Sequence, residues 1–85
     1  MTDWKKRQQE IRERLRDYPY SLKDFARNDR VSFSFDDEII REGIIFMIDS
    51  MGTDECYRIC PSFDILIEEE NMVYKHVPMV YVTKK

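Results

Sequence analysis

Residues 31–49, "VSFSFDDEIIREGIIFMID", decide the fold class, because here the apolar residues change from a helical spacing to a strand spacing. The first five residues alternate apolar and serine side chains, which predicts a strand over 31–36 with one face on a core. The apolar run after the acidic turn predicts a second, longer strand over 38–49. Gly43 lies near the middle of that strand and predicts a bulge or a sharp bend there.

Both faces of this second strand are apolar. The first face carries four large apolar side chains and the second carries two: Ile40, Ile44, Phe46 and Ile48, against Ile45 and Met47. We expect the first face to line the core and an N-terminal helix to cover the second. Surplus apolar surface on this strand also favours a homodimer.

Residues 1–18 show the spacing of an amphipathic helix. Thr2 or Asp3 is expected to cap its N-terminus, and Pro19 is expected to end it. The apolar stripe consists of Trp4, Ile11, Leu15 and Tyr18. This segment therefore predicts one helix whose apolar side packs on the sheet.

Three further strands are predicted over 62–68, 72–77 and 80–83. The acidic run at 68–71 forms the tip of a hairpin between the first two, and Pro78 separates the last two. The whole chain is thus expected to be one α+β domain, 1–85, that is mostly β, with the helix on a five-stranded antiparallel sheet.

The order and breaks of these strands over residues 31–83 resemble those of SH3-like small barrels, in which a 3₁₀ turn separates the last two strands. The resemblance implies an SH3-like barrel that is closed or nearly closed, with loop aromatics lining a ligand groove. The stretch "SFDILIEEENMVYKHVP", residues 62–78, also resembles uncharacterised small proteins of phage and conjugative elements in Gram-positive bacteria.

Composition restricts the function. The chain lacks the apolar run of a membrane span and the apolar core of a signal peptide, so we expect a cytoplasmic location without membrane contact. Only two glycines are present, and no phosphate-binding loop or nucleophile motif occurs. Cys56, Cys60 and the single histidine supply at most three zinc ligands, so two reduced thiols are favoured over a metal or a disulfide. From these absences we expect a non-catalytic protein without a cofactor.

His76, in the last part of the hairpin, is the one candidate for acid–base chemistry. Alternation places it on the same strand face as Tyr74, with Glu42 or Asp64 available to orient the imidazole. The alternative is a half-exposed histidine at the rim of the barrel, which we favour because one titratable group specifies little chemistry.

The leading functional hypothesis is protein–protein contact. The loop over 50–61 is the longest in the chain, and long loops on small folds often carry binding residues. Tyrosine and arginine are frequent anchors at interfaces. The expected contact residues are Tyr57 and Arg58 in the loop and Tyr74, His76 and Tyr81 on the sheet.

The alternative hypothesis is nucleic-acid binding through the helix. Residues 1–30 carry nine Lys or Arg against six Asp or Glu, whereas residues 31–85 carry five against eleven. The basic residues on one shoulder of the helix are Lys5, Arg12 and Arg16, which are suited to phosphate contacts. The acidic balance of the whole chain, −3, argues against this hypothesis.

Overall fold

The computed structural model describes residues 4–35, 37–52 and 60–85. Helix α1 spans Trp4–Asp17, and a 3₁₀ turn follows at Leu22–Asp24. The strands are β1 (Arg30–Phe33), β2 (Arg41–Asp49), β3 (Ser62–Ile67), β4 (Met72–Pro78) and β5 (Val82–Lys84). Two more 3₁₀ turns, Glu68–Glu70 and Met79–Tyr81, precede β4 and β5.

The strands form one antiparallel sheet of five strands in the order β4-β3-β2-β1-β5. The α+β class is therefore confirmed. The expected closure into a barrel is wrong, because β4 and β5 are the two edges of the sheet. The 3₁₀ turn Met79–Tyr81 joins these edges along the chain and buries all three of its residues.

The core lies on one side of the sheet. Alternate residues of β1 and β3, and Ile45 and Val77 from their neighbours, point into it. Ile11 of α1 and the residues of the turn before β5 close the core from the other side. Burial of these side chains supplies most of the favourable free energy of folding in so small a domain.

Helix α1 packs mainly on the turn Met79–Tyr81. The expectation that it covers both Ile45 and Met47 of β2 is wrong for Met47, which is exposed opposite Asp64, whereas Ile45 shares the buried core with Ile11. Ile11 is fully buried, Tyr18 is half-buried, and Leu15 lies at the exposed edge of the stripe. The expected cap residues, Thr2 and Asp3, and the side chain of Trp4 lie outside the described residues.

The bulge of β2 lies at Phe46 and not at Gly43. Ile45 pairs with Ile65 and Met47 with Asp64, so Phe46 is the extra residue on β2. Gly43 instead permits close packing, because a Cβ atom there would lie 2.5 Å from the carbonyl oxygen of Leu66. Beyond the bulge, the alternation of side chains between the two sides of the sheet is shifted by one residue. Ile48 therefore lies on the core side, opposite Phe63.

Candidate functional site

The side of the sheet opposite the core carries an apolar surface, which we call the outer face. Cross-strand partners share a side of a sheet, and the register aligns Ile44 with Leu66 and Leu66 with Val73. Phe46 and Met47 extend this row along β2. The outer face thus comprises Ile44, Phe46, Met47, Leu66 and Val73.

Two members of the outer face are unusually exposed for the middle of a strand. Phe46 keeps 49% of its surface accessible and Met47 keeps 47%. The sequence pattern assigned Phe46 to the core and placed Met47 under the helix, and both assignments are wrong. The cause is the bulge, which points two consecutive apolar side chains outward and cannot be inferred from alternation alone.

A second bulge lies across the sheet, in β4. Phe63 pairs with Val77 and Ile65 with Tyr74, so β4 has one residue more than β3 over this interval. His76 takes the left-handed conformation there, with φ of 62°. Its backbone N–H donates to the Oδ1 of Asp64 at 2.9 Å. The carboxylate thereby satisfies a donor that the bulge removes from the ladder.

Asp64 therefore lies between the two bulges, opposite Met47 on one side and His76 on the other. The Nδ1 of His76 is 3.8 Å from Oδ1 of Asp64, which identifies Asp64 rather than Glu42 as the neighbour of the imidazole. Glu42 instead pairs with Lys85 at 2.8 Å. A shallow cavity of about 330 Å³ adjoins this pair, lined by residues 47–50, Asp64 and His76.

The second bulge also separates His76 from Tyr74. Tyr74 faces the core, where its ring lies 5.4 Å from that of Phe33 and 5.0 Å from the guanidinium of Arg41. The expectation that Tyr74 and His76 share a face is therefore wrong. Tyr74 is half-buried in an aromatic contact, whereas the side chain of His76 is 42% exposed beside the outer face.

Tyr81 is buried and serves the packing of the helix. Its hydroxyl donates to Glu10, and Arg14 lies 4.5 Å from the centre of its ring. Burial, and then the hydrogen bond to Glu10, raises the pKa of Tyr81. This environment argues against direct contact between Tyr81 and a partner. Tyr57 and Arg58 lie outside the described residues.

The structure divides the basic residues of the helix between two roles. Arg7 and Arg14 stack on aromatic rings, Arg7 at 4.7 Å from Phe35. Lys5, Arg12 and Arg16 lie exposed on α1. These three residues are accessible to a polyanion, although Glu13 and Asp17 are exposed on the same helix.

Cys60 is buried, and Cys56 lies outside the described residues. Across the part of the chain that the structure describes, no group of three or more His, Cys, Asp or Glu side chains is placed to hold a metal ion. No helix in that part has the length and apolar character needed to cross a membrane.

Comparison with known proteins gives no relationship from which a function can be transferred. No protein-family description, no curated protein and no solved structure matches the chain. The geometry of the site is therefore the main basis for a functional conclusion.

Proposed function

We propose that this chain is a small non-catalytic binding module of the SH3-like class that acts through protein–protein contact. The outer face is its contact surface. The observation that carries the proposal is the exposure of Phe46 and Met47 in the longest strand, on the same side of the sheet as Ile44, Leu66 and Val73. Contiguous apolar surface on a small protein commonly marks an interaction site.

The SH3-like part of the proposal is supported by the chain path near the C-terminus. The 3₁₀ turn Met79–Tyr81 separates β4 from β5, as in SH3-like proteins. The likeness of residues 62–78 to small proteins of phage and conjugative elements supports an accessory role in such an element. The proposal includes a cytoplasmic location and a protein partner.

The partner is expected on the face of the sheet and not at its edge. Strand β4 is an edge, but His76 bulges out of its ladder and Pro78 has no N–H to donate. Bulges, prolines and lysines on an edge strand discourage further strand pairing. Lys75 adds a charge at the same place. Phe46 and Met47, in contrast, are available for side-chain contact.

The test places a photo-crosslinking amino acid at position 47 of the full chain in cells of the native host. The matched control carries the same amino acid at Lys23, which is exposed in the first 3₁₀ turn and is not part of the outer face. We expect a discrete protein adduct from position 47 that position 23 does not give. The added substitution Phe46→Ser should remove it.

Equal products at both positions, or none, would contradict the proposal. An adduct of twice the mass of the chain would identify a second copy as the partner, which is the homodimer that the apolar strand favours. Unfolding curves of Phe46→Ser should match those of the wild type, because an exposed side chain contributes little to stability.

Nucleic-acid binding remains the second candidate, because Arg12 and Arg16 are exposed on α1. Its test is retention on heparin and on DNA at low salt. Phosphate binding through these residues would decline steeply as salt rises. A chain that passes through both columns at low salt excludes this candidate.

A further inference from the structure

A groove lies away from the Asp64–His76 pair, between the loop 37–40 and the turn Glu68–Glu70. It has a volume of about 560 Å³ and is lined by Arg30, residues 39–43 and residues 67–70. We call it the acidic groove. A volume of this size is within the range of ordinary ligand and side-chain pockets.

One wall of the acidic groove presents two exposed aliphatic side chains. Ile39 is 57% accessible and Ile40 is 75% accessible. A hydrogen bond within the loop stabilises its conformation, because the N–H of Ile39 donates to Oδ1 of Asp37 at 3.0 Å. The Nη1 of Arg41 also lies 3.0 and 3.1 Å from the two carboxylate oxygens of Asp37.

Arg41 is in turn held against the sheet, since its guanidinium stacks on the ring of Tyr74. A chain of contacts from Tyr74 through Arg41 to Asp37 therefore fixes the loop. Because these contacts hold the loop that carries the isoleucines, binding of a ligand over them requires little additional ordering of the loop. Preorganised apolar anchors of this kind are typical of interface residues.

The opposite wall is acidic. Glu68 is 3.8 Å from Arg30, but Glu69 and Glu70 are exposed and form no ion pair with the other described residues. The left-handed Asn71 closes this turn, and its N–H donates to the carbonyl of Glu68. Two exposed carboxylates thus lie beside the groove, and that of Glu70 also interacts electrostatically with Arg41.

We propose that the acidic groove binds a basic amphipathic segment of a partner protein. Apolar side chains of the segment contact Ile39 and Ile40, and its Lys or Arg side chains pair with Glu69 and Glu70. Charge complementarity selects this occupant, because anionic or purely polar segments would leave the isoleucines exposed or oppose like charges. The acidic groove is a second surface, and its use does not depend on the outer face.

The probe is a fluorescent synthetic peptide of leucine and lysine arranged with helical periodicity, and the measurement is its anisotropy on titration with the full chain. We expect saturable binding to the wild type. The substitutions Glu69→Lys with Glu70→Lys, and separately Ile39→Ser with Ile40→Ser, should each weaken binding by about tenfold or more. All four residues are exposed, so the variants should unfold at the wild-type temperature.

The matched control is Glu13→Lys with Asp17→Lys on α1, which changes the net charge by the same amount and should leave the affinity within about twofold. Phe46→Ser with Met47→Ser should also leave it unchanged, which separates this proposal from the outer face. A peptide with serine in place of leucine should bind weakly.

Two outcomes overturn the proposal. One is a loss of affinity in the control on α1 as large as that in the Glu69 and Glu70 variant, which would reduce the effect to net charge. The other is concentration-dependent oligomers of the wild type that Glu69→Lys with Glu70→Lys disperses, which would make a second copy the occupant.

Discussion

His76 is the residue in which geometry and chemistry are most closely linked. A positive φ is unfavourable for residues other than glycine. The pairing of β4 and the hydrogen bond to Asp64 hold His76 in this conformation. The carboxylate of Asp64 accepts a hydrogen bond from the backbone N–H of His76, whereas the ring Nδ1 lies 3.8 Å away. The histidine is therefore fixed by its main chain, while its imidazole is left accessible beside the outer face.

We predict that His76→Gly raises the free energy of unfolding by about 1 kcal/mol, because glycine accepts this backbone conformation without strain. Urea denaturation measures the change. The control is Lys75→Gly at the preceding position, where φ is not positive and where glycine should destabilise the protein. If His76→Gly destabilises it as much, the left-handed conformation is not the dominant cost at this site.

At the scale of elements, three pieces of irregular backbone position the surfaces. The bulge at Phe46 exposes the outer face, and Arg27 Nε donates to the carbonyl of Phe46 at 3.2 Å, which satisfies the bulged backbone. The bulge at His76 disrupts the edge of β4. The loop 37–40 displays Ile39 and Ile40, with Asp37 as its anchor.

The anchor of this loop predicts a dependence of stability on pH. The hydrogen bond from Arg41, followed by that from the N–H of Ile39, lowers the pKa of Asp37 below the ordinary value of 3.8. A carboxyl group with a lowered folded pKa stabilises the protein above its unfolded pKa. That stabilisation is lost as the pH falls from 3.8 through the folded value.

We therefore expect Asp37→Asn to flatten the acid limb of a plot of unfolding free energy against pH. Glu38→Gln, the adjacent exposed carboxyl, is the control and should leave the slope at its wild-type value. Thermal or urea unfolding at a series of pH values below neutrality provides the measurement. Identical acid limbs for Asp37→Asn and the wild type would show that the Asp37–Arg41 contact does not persist in solution.

At the scale of the whole molecule, the helix and the turn before β5 close an open sheet. Ile11 enters the core, and the hydroxyl of Tyr18 donates to the carbonyl of Val82, which ties the end of α1 to the last strand. Burial of the ring raises the pKa of Tyr18. Helix α1 packs at this end, and Phe46 and Met47 on the other side of the sheet stay exposed within the part of the chain that the structure describes.

We predict that Ile11→Ala lowers the free energy of unfolding by about 3 kcal/mol, since it leaves a cavity where a fully buried side chain was. Leu15→Ala, one turn away at the exposed edge of the stripe, should cost less than about 1 kcal/mol. Equal losses from the two substitutions would indicate that α1 does not dock through Ile11. Chemical denaturation of both variants supplies the comparison.

Much of the architecture could be predicted from particular residues. Pro19 and Pro78 mark ends of elements, the alternation of "VSFSF" marks β1, and "EEEN" marks the turn between β3 and β4. The candidate surfaces could not be predicted in the same way. Phe46 and Met47 lie in a continuous apolar run, and nothing in that run indicates that β3 is one residue shorter over that interval.

The sequence by itself determined the α+β class, the number of strands and the presence of one amphipathic helix, because apolar periodicity and chain-breaking residues act within a few positions along the chain. Only the tertiary structure decided which apolar residues face solvent, where the ladders bulge and whether the sheet closes. Those features depend on the register between strands distant in sequence. A shift of one residue in that register moves a side chain from the core to the surface.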